Sequence, residues 1–259
     1  MITLKSEREI KKIRESGRVL HGALMAAGRA CIPGNTTKDV DKAAEDYIVS
    51  HGYNPSEKNY SEGDEIPFPA ASCVSVNDAI IHGIPTDYKL KKGDLVKIDI
   101  VVDKDGYFAD AARAFIVKDD GEVDEDYPRQ LKLIKVTRQA FYEGIKYAKV
   151  GNRISDISHA IQEYVESQGF SVLREYQGHG VGIAMHEEPG IPNFGKPGKG
   201  PRLQEGMVLA IEPMVCEGER YIMDSDDGWS VITEDGMLGC HYENTIAITK
   251  DGPIILTNE

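Results

Sequence analysis

The segment PGNTTKDVDKAAEDYIVSHGY, which begins at Pro33, recurs without a gap as VGNRISDISHAIQEYVESQGF from Val150, 117 residues later. Gly34/Gly151, Asn35/Asn152, Asp39/Asp156, Ala43/Ala160, Tyr47/Tyr164, Ser50/Ser167 and Gly52/Gly169 are identical pairs. Val40/Ile157, Asp46/Glu163, Ile48/Val165 and Tyr53/Phe170 are close equivalents. Chance supplies scattered matches, not an ungapped pattern. The period exceeds the roughly 20–50 residues of solenoid units. It predicts one domain, 1–259, built from two related halves, about 1–120 and 121–259. Each copy reads as a turn, a polar helix start, helical turns with one apolar face, and a closing glycine. A longer helical stretch precedes each, at 6–30 and 125–148.

After each helix pair the pattern turns strand-like. SCVSV, DLVKIDIVVD and GYFADAARAFIV follow the first pair, and MVLAIEPMV, GWSVITEDG and ENTIAIT the second. These runs are rich in β-branched and aromatic residues and bounded by turn residues. The expected architecture is α+β: a strongly curved, mostly antiparallel sheet with helices on one face and a groove on the other.

The chemistry-bearing residues follow the same order twice. His82, Asp99 and Asp110 lie in the first half, and His179, Glu212 and Glu243 in the second. Gly93 precedes Asp99 by the same interval as Gly206 precedes Glu212. A lone strand acid is ordinarily a surface residue, and a lone histidine is ordinarily packed or capping. Asp99, however, sits in VKIDIVV and Glu212 in VLAIEPMV, where an unpaired acid is costly to bury. Superposed halves bring four carboxylates together, and these repel unless countercharged. Two divalent cations balance four carboxylates, and oxygen-rich coordination with an imidazole suits Mn, Fe, Co or Zn. Such a pair activates water and polarises a carbonyl, which points to hydrolysis. The run GHGVG (178–182) could mark a turn, but it lacks the Lys-Ser/Thr ending of a phosphate cradle. Glycine beside His179 fits close backbone approach to a ligand or metal. His186, in MHEEP, falls outside HExxH spacing and is read as a residue near the substrate.

The motifs FPAASCVSVNDAIIHGIP, GDLVKIDIVVDKDGYFAD, YQGHGVGIAMHEEPGIP, MVLAIEPMV, GWSVITEDG and HYENTIAIT together resemble the type I methionine aminopeptidases of the pita-bread metallopeptidase family. With the N-terminal helices the resemblance spans nearly the whole chain. It implies the pita-bread fold and removal of N-terminal methionine from nascent proteins and peptides by a metal-bridging hydroxide. The implied ligands are Asp99, Asp110, His179, Glu212 and Glu243, with Asp110 and Glu243 bridging and Asp99 bidentate. His82 would face the scissile nitrogen, His186 would steady the carbonyl oxygen, and Glu212 would also shuttle the proton. Phe68, Cys73, His82, Met185 and Trp229 would surround the methionine side chain. Cys73 and Trp229 read equally well as ordinary core residues.

Three departures from the family pattern stand out. Lys97 replaces the usual Asn or Ser, and strand alternation places it on the face of Asp99 and Val101, where it would approach the metal cluster. Val101 and Ala111 replace hydroxyl residues that would orient ligands and waters. The acidic, polar stretch 56–67 is longer than the family's strand there and could form a lid or alter residue preference. Two alternatives therefore stay beside methionine removal. One is a related aminopeptidase or proline-directed peptidase of altered specificity; the other is a catalytically weak peptide-binding member.

Composition narrows the surroundings. Forty-three acidic against thirty basic residues give a net charge of −13, which argues against a dedicated nucleic-acid partner. No apolar run approaches the ~20 residues of a membrane span, and the charged N-terminus carries no secretory signal. Cys31, Cys73, Cys216 and Cys240 lack zinc-ribbon spacing, so a reducing, cytoplasmic setting is expected. Basic residues along 129–149 read as a solvated helix face or as a transient ribosome contact. The resemblance implies a monomer.

Overall fold

Two reciprocal capping boxes start the N-terminal helices. Ser6 accepts from the Glu9 N–H, and Glu9 accepts the Ser6 N–H at 2.7 Å, opening α1 (Glu7–Ala30). Thr36 and Asp39 do the same for α2 (Thr37–Ser50), again with 2.7 Å to the Thr36 N–H. The helix expected over 125–148 begins later, as α3 (Pro128–Ile145), after a 3₁₀ turn over Asp124–Asp126. Pro128 suits the first helical position because its missing N–H would be unbonded there anyway. The last helix is α4 (Ile154–Ser167). The computed structural model describes residues 1–61 and 66–258.

The repeated segments match in detail. Gly34 and Gly151 take φ of +92° and +93°, a region open to glycine at little cost. Their N–H groups donate to Leu90 and Leu203 at 2.9 and 3.0 Å. Leu90 and Leu203 donate back to Asn35 and Asn152, each at 2.8 Å.

Strands β1 (Asn54–Pro55), β2 (Cys73–Val76) and β3 (Ala79–Ile81) lead into a long hairpin, β4 (Leu95–Lys104) and β5 (Tyr107–Ile116). After α4 come β6 (Ser171–Val172), β7 (Gln177–Gly180), β8 (Glu187–Pro192), β9 (Val208–Ile211) and β10 (Met214–Cys216). The chain closes with β11 (Ile222–Asp224), β12 (Val231–Thr233), β13 (Gly239–His241), β14 (Asn244–Thr249) and β15 (Gly252–Ile255). Every strand pairing among the described residues is antiparallel. In place of one continuous sheet, the ladders form four sets: β1-β4-β2 with β5 on β4, β13-β10-β6, β11-β12-β3, and β15-β14-β9-β7-β8. One break has a plain cause. MVLAIEPMV reads as one strand, but Pro213 offers no N–H, and β9 and β10 join different sets on either side of it.

Helices cover one face of these sheets. Ile13, Leu20 and Leu24 of α1 pack with Ile98, Ile100 and Val102 of β4 and Ala109 and Ala111 of β5. Phe141, Ile157 and Ile161 of α3 and α4 pack with Leu209, Ile211, Ile246 and Ile248 of β9 and β14. Alternation then sends the intervening residues of β4 and β5, Asp99, Val101 and Asp110, to the opposite face, which lines a cavity. Ala111 is thereby corrected: it lies fully buried under the helices, one step out of phase with Asp110, and cannot orient groups in the site. Among the described residues no helix is long and apolar enough to cross a membrane.

Candidate metal centre and substrate cavity

The hairpin register sets Asp99 opposite Ala112 and Asp110 opposite Val101, so both carboxylates leave the same face. A second hydrogen-bond set ties them to the C-terminal strands. The Asp110 N–H donates to Thr245 Oγ1 at 2.9 Å, the Thr245 hydroxyl donates to the Asp110 carbonyl at 2.8 Å, and the Glu243 N–H donates to the Ala112 carbonyl at 3.1 Å. Arg113 clamps the junction through the Glu243 carbonyl and Asn244 Oδ1. Glu243 thus arrives beside Asp110 although far from it in sequence. Glu212 enters at the Pro213 break, its carbonyl held by Asn193 Nδ2 at 2.9 Å.

His179 lies on β7 opposite Ala210. A Cβ on Gly178 would meet the Ala210 carbonyl at 2.4 Å, and one on Gly180 the Glu188 carbonyl at 2.4 Å. The glycines flanking His179 therefore make room for neighbouring strands, and Gly178 also lines the cavity, where its bare backbone leaves space. His179 Nε2 stands 3.5 Å from Asp110 Oδ2 and 3.7 Å from Glu212 Oε1. Ligating atoms of Asp110, His179 and Glu243 all lie within 4.8 Å of one another, as do those of Asp99, His241 and Glu243.

These acids are held at a cost. Burial first, and then Asp110, push the Asp99 carboxyl well above the usual carboxylate range. Glu212 is raised by burial and by Asp110 and Asp99, and Glu243 by burial and by Asp110, Glu212 and Asp99. Among the described residues lining the cavity there is no Lys or Arg. Asp99 Oδ1, Asp110 Oδ1, Glu243 Oε1 and both nitrogens of His241 are buried without a hydrogen-bond partner among the described residues. Orphaned carboxylate oxygens and imidazole nitrogens facing one another are a donor set that fits divalent ions.

All five positions expected for the methionine pocket line the same cavity of about 800 Å³: Phe68, Cys73, His82, Met185 and Trp229. Phe68 and Trp229 meet edge to face at 5.2 Å. Burial, with Glu57 next in effect, pushes the Cys73 thiol well above its ordinary range, so it stays an uncharged wall. His82, at φ +57°, meets Tyr176 and Trp229 edge-on at 5.5 and 6.3 Å, and burial lowers it to about 4. The exposed His186 ring stands 4.4 Å from that of His179, with its Nδ1 2.7 Å from the Tyr60 hydroxyl.

Lys97 does share the Asp99 face, but its ammonium donates to the Asn77 and Leu95 carbonyls at 2.8 and 3.4 Å and does not line the cavity. Its four-carbon stem carries the charge past the carboxylates to the turn beyond β2, and burial lowers it to about 7. Val101 does line the cavity. Of the stretch 56–67, Glu57, Tyr60 and Ile66 reach the cavity wall; 62–65, part of the expected lid, lie outside the described residues.

Two residues beside the acids, one of them in the cavity wall, escaped the sequence reading. Glu57 is buried beside Cys73 and Asp99, and nothing in SEKNY distinguishes it from a surface acid. His241 had a usable signal, since HYE puts an imidazole only two residues before the expected ligand Glu243.

The profile of metallopeptidase family M24 matches residues 11–250. A methionine aminopeptidase of Clostridium perfringens is 49% identical over 257 residues, covering 99% of each chain. Methionine aminopeptidase 1 of Bacillus subtilis is 46% identical over 257 residues, again with 99% of each chain covered. The crystal structure of methionine aminopeptidase from Thermotoga maritima aligns with a TM-score of 0.92 at 41% identity over 100% of both chains. The chain belongs to metallopeptidase family M24, and with it to the divalent-metal hydrolases of the pita-bread fold. Its place within that family is among the methionine aminopeptidases.

Proposed function

We propose that the protein removes N-terminal methionine from nascent proteins and peptides, with Asp99, Asp110, His179, Glu212 and Glu243 holding two divalent ions drawn from Co, Mn, Fe or Zn. One observation carries the reading: five ligand-type side chains from β4, β5, β7, the β9–β10 break and the β13–β14 junction meet in one cavity, whose other wall is aromatic and sulfur-bearing. Aromatic rings and sulfur suit a thioether side chain.

When bound, ions at this centre activate water and polarise the scissile carbonyl. Glu212 is placed to accept a proton there and return it to the departing amine. His82, neutral at pH 7, holds one ring proton beside the nitrogen side of the scissile bond. His186, oriented by Tyr60, offers an N–H where negative charge develops on the carbonyl oxygen. Phe68, Met185 and Trp229 exclude water around the first side chain.

The molecule works on this reading as a cytoplasmic monomer, a single catalytic domain of two related halves, touching the ribosome only transiently along the basic face of α3. Glu57 favours one variant of the reading, since a carboxyl in the side-chain pocket can alter the preferred first residue. Metal-loaded protein given peptides that differ only in residue one decides between them. Met-Ala-Ser should be cleaved at least tenfold faster than its Ala or Leu counterparts. Equal rates would favour altered specificity, and binding without cleavage would favour a weak peptide-binding protein.

A further inference from the structure

His241, at the end of β13, is 1% exposed, and neither of its ring nitrogens has a hydrogen-bond partner among the described residues. A buried imidazole with two orphaned nitrogens is expensive, and an ion on one of them removes a large part of that cost. Nε2 lies 3.6 Å from Glu212 Oε2 and 3.6 Å from Glu243 Oε2, and Nδ1 lies 3.9 Å from Asp99 Oδ2. These separations are too long for hydrogen bonds. Each single separation suits two donors on one ion, because metal–ligand bonds of about 2.0–2.2 Å place such atoms up to about 4.2 Å apart. Only one ring nitrogen can serve, and one ligating atom from each of Asp99, His241 and Glu243 lies within 4.8 Å of the other two. His179 stands at the same range from its carboxylates, 3.5 and 3.7 Å. Among the described residues, two three-residue sets include a histidine, Asp110–His179–Glu243 and Asp99–His241–Glu243, with Glu243 common to both.

We infer that His241 is a nitrogen ligand of the ion held by Asp99 and Glu243, so that each of the two ions carries one imidazole. This rests on the cavity being a metal centre. Backbone pairing supports the placement: His241 pairs with Met214 of β10, which fixes its backbone at the end of β13, and the Glu243 N–H donates to the Ala112 carbonyl at 3.1 Å two residues on. A second imidazole also makes the pair less oxygen-rich, which favours Zn, Fe or Co over Mn at that position.

X-ray absorption on unsubstituted protein loaded with two Co(II) ions per chain gives the test without any mutation. One imidazole per cobalt is expected on average; half an imidazole per cobalt, the value for His179 alone, would overturn the assignment. His241→Gln keeps a polar side chain of similar reach and should lower the count to half. It should also weaken uptake of one of the two ions by about 100-fold in calorimetry. A variant that folds, as judged by circular dichroism, and matches the parent in imidazole count and both affinities would contradict the inference while leaving the metal centre intact. Parent protein that takes up no cobalt would remove the metal centre as well as this ligand.

Discussion

Segments 33–53 and 150–170 repeat one another down to individual hydrogen bonds, whereas the histidines downstream of them do not. Gly34 and Gly151, Asn35 and Asn152, and Asp39 and Asp156 hold equivalent partners at nearly equal distances. His82 and His179, which the order of residues pairs, have different surroundings. His179 faces Asp110 and Glu212 from a strand, while His82 sits in a left-handed turn against Tyr176 and Trp229. The repeated part sets how helices meet strands. On the proposed reading, the unrepeated part sets His179 to bind an ion and His82 to meet substrate.

Replacing the two histidines should separate those roles most sharply. His179→Ala removes an ion ligand, and an expected loss on the order of 10³-fold in kcat should come with loss of bound metal in elemental analysis. His82→Ala should keep its metal. Metal retained in His179→Ala would break the distinction.

The same contrast predicts a pH effect. Burial lowers His82 to about 4, from about 6.5 in an unfolded chain. Between those values the unfolded chain binds the proton and the folded one does not, so the stabilisation present above pH 6.5 is lost as pH falls through 4. The loss amounts to about 3 kcal/mol by pH 4. His82→Gln should flatten that part of the stability–pH curve measured by denaturant unfolding. A parallel curve for variant and parent would show that His82 protonates freely.

The smallest contrast lies in the repeated helix starts. The Thr36 hydroxyl accepts from the Asp39 N–H at 3.1 Å, and no side-chain cap is made by Arg153 at the matching position. Thr36→Ala should cost about 1 kcal/mol, and Arg153→Ala should stay within about 0.5 kcal/mol. Equal losses in urea unfolding would mean that the carboxylates of Asp39 and Asp156 supply the capping at both starts.

What the sequence made legible follows from the same physics. Asp99 and Glu212 announce themselves because each interrupts an apolar run, where an acid needs a reason. Asp110 and Glu243 become legible through the ordered resemblance of several motifs. Ala111 could have been placed by alternation, since a residue next to Asp110 must face the helices. Lys97 could not, because its face is fixed by the strand but the reach of its stem is not. Glu57 was hidden in a polar stretch, and its burial arises from packing against Cys73 that no local pattern encodes. The division of the strands into four ladders depends on Pro213 and on register shifts such as that between Val231 and Ile232, of which only the proline is visible as a residue.

On the proposed reading, the buried acids pass their protons to solvent when ions arrive. Calorimetric titration of chelator-stripped protein with Co(II), repeated in buffers of different ionisation enthalpy, measures ion count and proton release together. Two ions per chain with protons released, and a much weaker uptake in Glu243→Ala, is the predicted result. Absence of uptake, or uptake unchanged by Glu243→Ala, would contradict it.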